Sequence, residues 1–156
     1  VSVVVTILTA CSGFLLAVLW MDLIFDSQIV RQRRSGASLP EPVLASIASY
    51  YHRATTTSRP MSQLIAVVML MLLGAWGLRA VQGQDPSWLL AMSVVLAGGP
   101  IALALTHTVP NAIRLGKRLD SPAVQTRLAR SILRDHVLCF GCMLTFVALW
   151  VMHDMP

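Results

Sequence analysis

Charge is what this sequence has least of. Only 12% of its 156 residues are Asp, Glu, Lys or Arg, against roughly a quarter in an ordinary soluble domain. The few charges are segregated into clusters, with long uncharged stretches between them, which excludes a soluble globular chain. Cysteine is also scarce. Cys11, Cys139 and Cys142 are too few for a disulfide framework. Cys139 and Cys142 share a helix face in "CFGC" but have no partner ligands beside them, so they read as small apolar core residues. Nucleophile signatures of the G-x-S-x-G type and phosphate-binding loops are absent. Nothing in the loops resembles a nucleic-acid recognition module.

What the chain has is apolar sequence, 56% of its residues. Four runs reach or approach the roughly 20 residues that a hydrocarbon core of about 30 Å requires. They lie at about 2–25, 61–80, 88–110 and 134–152. The fold class expected is all-α, a polytopic membrane protein forming one domain of four transmembrane helices. The first run has no basic residues ahead of it and is longer than the apolar core of a signal peptide, so it reads as a retained helix.

Lysine and arginine set the orientation. Arg31, Arg33, Arg34, Arg53 and Arg59 lie between runs one and two. Arg114, Lys117, Arg118, Arg127, Arg130 and Arg134 lie between runs three and four, or at their ends. Only Arg79, near Asp85, belongs to the short connection between runs two and three. Both long loops are therefore expected to face the cytoplasm, or the matrix or stroma, with both termini opposite. This one-sided charge suits anionic lipid headgroups, at about 1 kcal/mol for each basic residue near the surface. Arg31, Arg33, Arg34, Arg118, Arg127, Arg130 and Arg134 are the candidate headgroup ligands.

Within the first loop, Gly36, Pro40 and Pro42 interrupt any helix. Residues 42–57 then set Val43, Ile47 and Tyr51 against Ser46, Ser49 and Arg53, the pattern of an amphipathic helix. It is expected to lie in the headgroup plane or against the bundle mouth. Ser58 before Pro60 suggests a cap for the second span. In the third run, Gly98, Gly99 and Pro100 predict a kink or a close helix contact. The spacings Gly13/Ala17 and Gly98/Ala102 also suit close backbone approach. Asp120 or Ser121 before Pro122 predicts a helix start that runs on into the fourth span.

Polar residues of these helices converge at the basic end. Asp22 and Asp26 share one face of the first span, about 6 Å apart along its axis. They sit at a helix C-terminus, where the macrodipole disfavours them, so pairing with loop arginines is expected. His107, Asn111 and Arg114 follow one another on a face of the third span. Ionisable residues at this depth are functional candidates. Asp22, Asp26, His107, Asn111 and Arg114 are therefore the candidate catalytic set, His107 or an aspartate as base and Asn111 with Arg114 as anion stabilisers. His136 reads as an interfacial residue. Asp22, Asp26, His52, His107 and His136 have ligand chemistry but no diagnostic spacing, so no metal site is expected. A single histidine suffices for a haem or chlorophyll, which leaves the cofactor unknown.

The stretches "THTVPNAIRLGKRL" and "RSILRDHVLCF", from His107 to His136, resemble the small four-helix membrane proteins related to anthrone oxygenases. That resemblance implies oxidation of polycyclic phenolic substrates without an evident bound cofactor. "WMDLIFD" lies outside it. The sequence leaves two functions open. The one it favours is an accessory or assembly subunit, packed against a larger membrane complex and binding lipid or pigment. The alternative is a small oxygenase-like enzyme acting on a hydrophobic substrate at the cytoplasmic-side mouth. A transporter ranks behind both, since no paired half-repeats appear.

Overall fold

The structure is a computed structural model that describes residues 3–32 and 38–154. Five helical elements follow in order: α1 (Val3–Arg31), α2 (Glu41–His52), α3 (Arg59–Gln82), α4 (Ser87–Lys117) and α5 (Pro122–Asp154). All but α2 are long and apolar enough to cross a membrane. The chain is an all-α four-helix membrane bundle, with α2 folded against one mouth.

Three π-helical turns interrupt the ladder, at Arg53–Thr57, Val94–Gly98 and Ala104–Thr108. Each ends just before a proline: Pro60, Pro100 and Pro110. A proline ring clashes with the carbonyl one turn back and cannot donate to it, and a widened turn relieves both problems. The hydroxyl of Thr108 reaches back to the Leu103 carbonyl, and that of Thr106 to Ala102. The glycines predicted to draw helices together do not. A Cβ built at Gly98 meets only Val94 of its own helix, at 4.0 Å, and at Gly13 or Gly99 it meets nothing within 4 Å. The close approach is elsewhere, at Gly116, where a Cβ would stand 3.0 Å from both Cα and N of His52. That glycine lets α2 cross directly over the end of α4.

The predicted start of α5 is found. Gln125 N donates to the Ser121 carbonyl at 2.9 Å, and the helix runs unbroken from Pro122 to Asp154. The predicted cap on α3 is not, because the Ser58 side chain makes no capping bond. Its carbonyl instead accepts from Met61 and Ser62. Helix α3 ends at Gly83 with φ 65°, and α4 at Arg118 with φ 53°. Left-handed backbone is ordinary for glycine and costly for arginine. Arg118 is held there with its guanidinium on Glu41, 2.5 Å away across the crossing with α2.

Two apolar clusters divide the interior. Leu8, Leu72, Leu89, Phe146 and Trp150 anchor one, inside the spans. Ile29, Leu44, Ile47, Leu115 and Ile132 anchor the other, which fastens α2 to the mouth. Leu44 and Ile47 belong to α2, and burying two such side chains fully contributes on the order of 3–6 kcal/mol, so α2 belongs to the bundle rather than floating in the headgroup plane. At the opposite end Arg79 forms a bidentate pair with Asp85, at 2.8 and 2.5 Å, and its guanidinium lies 5.8 Å from the Trp150 ring. The Trp150 indole donates to Ser93 Oγ at 2.9 Å.

Candidate functional site

The α2 end of the bundle is where the chain's charges collect, and α5 divides that end into two polar sites. The first is built on Asp22 and Asp26, one turn apart on α1. Their partners are not arginines. Tyr50 donates its hydroxyl to Asp22 at 2.6 Å, and Tyr51 donates to Asp26 at 2.7 Å. His136 of α5 sits between the two acids. Its Nδ1 is 2.8 Å from Asp26 Oδ2, and its Nε2 is 3.8 Å from Asp22 Oδ2. Asp26 is fully enclosed, and both its oxygens are used. The Tyr50 ring stacks on Phe25, with centroids 4.0 Å apart.

The expectation of arginine pairing fails: the two acids are met by the adjacent tyrosines of α2 and by His136 of α5. His136, expected at the interface, is instead buried at the centre of this network. Burial and the facing aspartates both push the hydroxyls of Tyr50 and Tyr51 well above the ordinary tyrosine range, so they remain protonated donors.

The second site lies on the adjacent face of α5, about 100° round the helix. His107 Nδ1 is 2.6 Å from Asp135 Oδ2, and the Thr108 hydroxyl donates to the same oxygen at 3.1 Å. Asp135 is buried, while 42% of the His107 side chain is exposed. The buried acid holds the ring by its Nδ1 and fixes its orientation. Asn111, one turn along α4, places its amide nitrogen 3.2 Å from the ring's Nε2. Beyond them opens a cleft of about 350 Å³, lined by His107, Asn111, Arg114, Val124, Arg127, Leu128 and Ser131.

Of the five candidate catalytic residues, the structure groups three, His107, Asn111 and Arg114, around this cleft. Asp22 and Asp26 stand apart from it. Among the described residues, no hydrogen bond or ion pair joins them to those three. Arg114 is itself engaged, with two bonds of 2.8 Å to Asp120. Hydrogen bonding to that guanidinium holds the Asp120 carboxyl below its usual range.

Arg118 is tied to Glu41, and Arg134 approaches Asp135 at 3.9 Å. Arg31, Arg127 and Arg130 are exposed, and among the described residues none has a carboxylate partner. Arg33 and Arg34 lie outside the described residues. His52 and Arg59 are exposed and take no part in either network. Asp135, Tyr50 and Tyr51 were missed as site residues. The "YY" pair one helix away from the two aspartates was the available signal for the tyrosines.

Cys11 and Cys139 are buried and Cys142 half-buried, all three as free thiols. Among the described residues, no three His, Cys, Asp or Glu side chains come together in a way that would hold a metal ion. Compared with protein families, curated proteins and solved structures, the chain matches none.

Proposed function

We propose that this protein is a small membrane enzyme that takes a proton from a hydrophobic substrate at the α2 end of the bundle. One observation supports the reading above all: a histidine held by a buried carboxylate lines a cleft of about 350 Å³ beside an amide and two guanidinium groups. His107 Nε2 receives the substrate proton while Asp135 stabilises the imidazolium that forms. Asn111 turns from the ring edge toward the anion left on the substrate, and the arginines favour that anion electrostatically. Asp22, Asp26 and His136 seat α2 in this reading and take no part in the chemistry.

If the resemblance to anthrone oxygenases extends to the reaction, the anion is the species that dioxygen oxidises. A CH2 group and O2 then give a carbonyl and water. The one-sided arginines and lysine favour a cytoplasmic-side location for the cleft, with both termini across the membrane.

The test is comparative mass spectrometry of hydrophobic extracts from cells making the wild type or His107→Gln. The expected result is one species that accumulates only in the variant, with the protein present at normal level and stability. Identical extracts would overturn the proposal.

The accessory-subunit reading rests on a different feature, an apolar groove of about 270 Å³ between α1 and α3, lined by Val4, Ile7, Met71, Gly74, Ala75 and Leu78. A groove of that kind accepts a lipid chain or a neighbouring helix. Co-purification in a fixed ratio with larger membrane subunits would favour it over the stand-alone enzyme.

A further inference from the structure

The two arginines of the cleft are not equivalent. Arg114 is neutralised by its bidentate contact with Asp120. Arg127 lines the same cleft, is exposed, and has no carboxylate partner among the described residues. The local charge available to a ligand therefore comes from Arg127, with the Ser131 hydroxyl one turn further along the same face of α5 and the Asn111 amide opposite. Arg127 and Arg114 stand at the mouth, and His107 and Asp135 stand deeper. From Arg127 to Asp135 the rise along α5 is roughly 12 Å.

Along α5 the cleft is lined between these two levels by Leu128 and Ser131, with Val124 just outside Arg127. Deeper still, the faces continue as Leu103, one turn beyond His107, and Leu138, two turns beyond Ser131. Leu138 is exposed. The cleft thus offers one cation unpaired among the described residues, Arg127, flanked by the apolar side chains of Val124 and Leu128. Its volume falls within the range of small-molecule sites, roughly 300–1,000 Å³.

We infer that the cleft selects a small amphiphile carrying one acidic group, a carboxylate or an acidic phosphate, and that Arg127 is the residue that binds that group. The inference rests on the proposed function for its site but concerns binding rather than turnover. Arg127 acts as a specificity residue, holding the ligand head at the surface while the apolar body lies along Leu128 toward His107. A neutral amphiphile of the same length leaves Arg127 unanswered, and a free inorganic anion forgoes contact with Val124 and Leu128.

The experiment measures binding to the purified protein in non-ionic detergent, with decanoate, methyl decanoate and inorganic phosphate as probes. Wild type should bind decanoate in preference to both others. Arg127→Gln should weaken decanoate binding by roughly tenfold or more, the loss of one charge-assisted contact. Arg127→Lys should retain part of it, and Arg130→Gln, altered on the same helix outside the cleft, should leave it unchanged. His107→Gln should still bind. Equal binding of ester and acid, equal binding of phosphate, or an equal loss in Arg130→Gln would each overturn the inference. Decanoate binding that depends on Arg127, together with unaltered extracts from His107→Gln cells, would remove the enzyme reading and leave this one standing.

Discussion

Tyr51 and Asp26 meet through a hydroxyl-to-carboxylate hydrogen bond of 2.7 Å, sealed under α2 where neither group touches solvent freely. Tyr50 makes the corresponding bond to Asp22. These are the chain's two tyrosines, so tyrosinate absorbance reports this network and nothing else. In the folded protein neither should ionise near pH 10, the ordinary tyrosine range. The folded-state pKa lies above the unfolded one for both, so their contribution to stability is present below about pH 10 and is lost as pH rises. A titration in detergent should show no tyrosinate until the protein unfolds, and the melting temperature should fall above pH 10. Ordinary ionisation in the intact fold would contradict the network.

Asp26→Asn should be the more damaging of the two aspartate substitutions. It removes the charge that both Tyr51 and His136 address in a closed site, and breaking a buried charged contact costs about 3–5 kcal/mol. Asp22 keeps some solvent exposure and a longer approach to His136, so Asp22→Asn should cost about 1–2 kcal/mol. Thermal unfolding in detergent measures both. Equal effects would mean that His136 does not favour Asp26.

Gly116→Ala should destabilise by about 1–3 kcal/mol, because the new methyl group meets backbone of His52 and α2 must move. The same variant should admit tyrosine ionisation at lower pH. Gly141→Ala, where a Cβ meets nothing within 4 Å, should be neutral or stabilising by up to about 1 kcal/mol. A neutral Gly116→Ala would show that α2 does not rest on α4 as described.

Helices were legible in the sequence because burial in a bilayer demands long apolar runs, whatever packs beside them. The four spans, the amphipathic segment and the long α5 starting at Pro122 followed from length, periodicity and proline placement. Partners were less legible. Asp22 and Asp26 could be put on one face, but which residues meet them depends on how α2 folds back. Tyr51 therefore looked like one more apolar position. His136 was misplaced because its neighbours Arg134 and Asp135 suggested the surface, while a step of about 100° per residue turns it inward. The Gly98–Pro100 stretch was legible only in part: its glycines draw no neighbouring helix close, whereas Pro100 follows a widened turn and its carbonyl faces the Cys139 thiol of α5 at 3.9 Å.

His107 and Asp135 carry the functional claim, and proton exchange tests it most directly. Membranes bearing the wild type, His107→Gln or Asp135→Asn would be incubated in D2O and their hydrophobic molecules followed by mass spectrometry. The expected result is a species that gains deuterium at carbon with the wild type, and does so far more slowly with either variant, while both variants retain the fold reported by silent tyrosines. Exchange that is equal in all three membranes, or absent from all three, would contradict the assignment of His107 as a catalytic base.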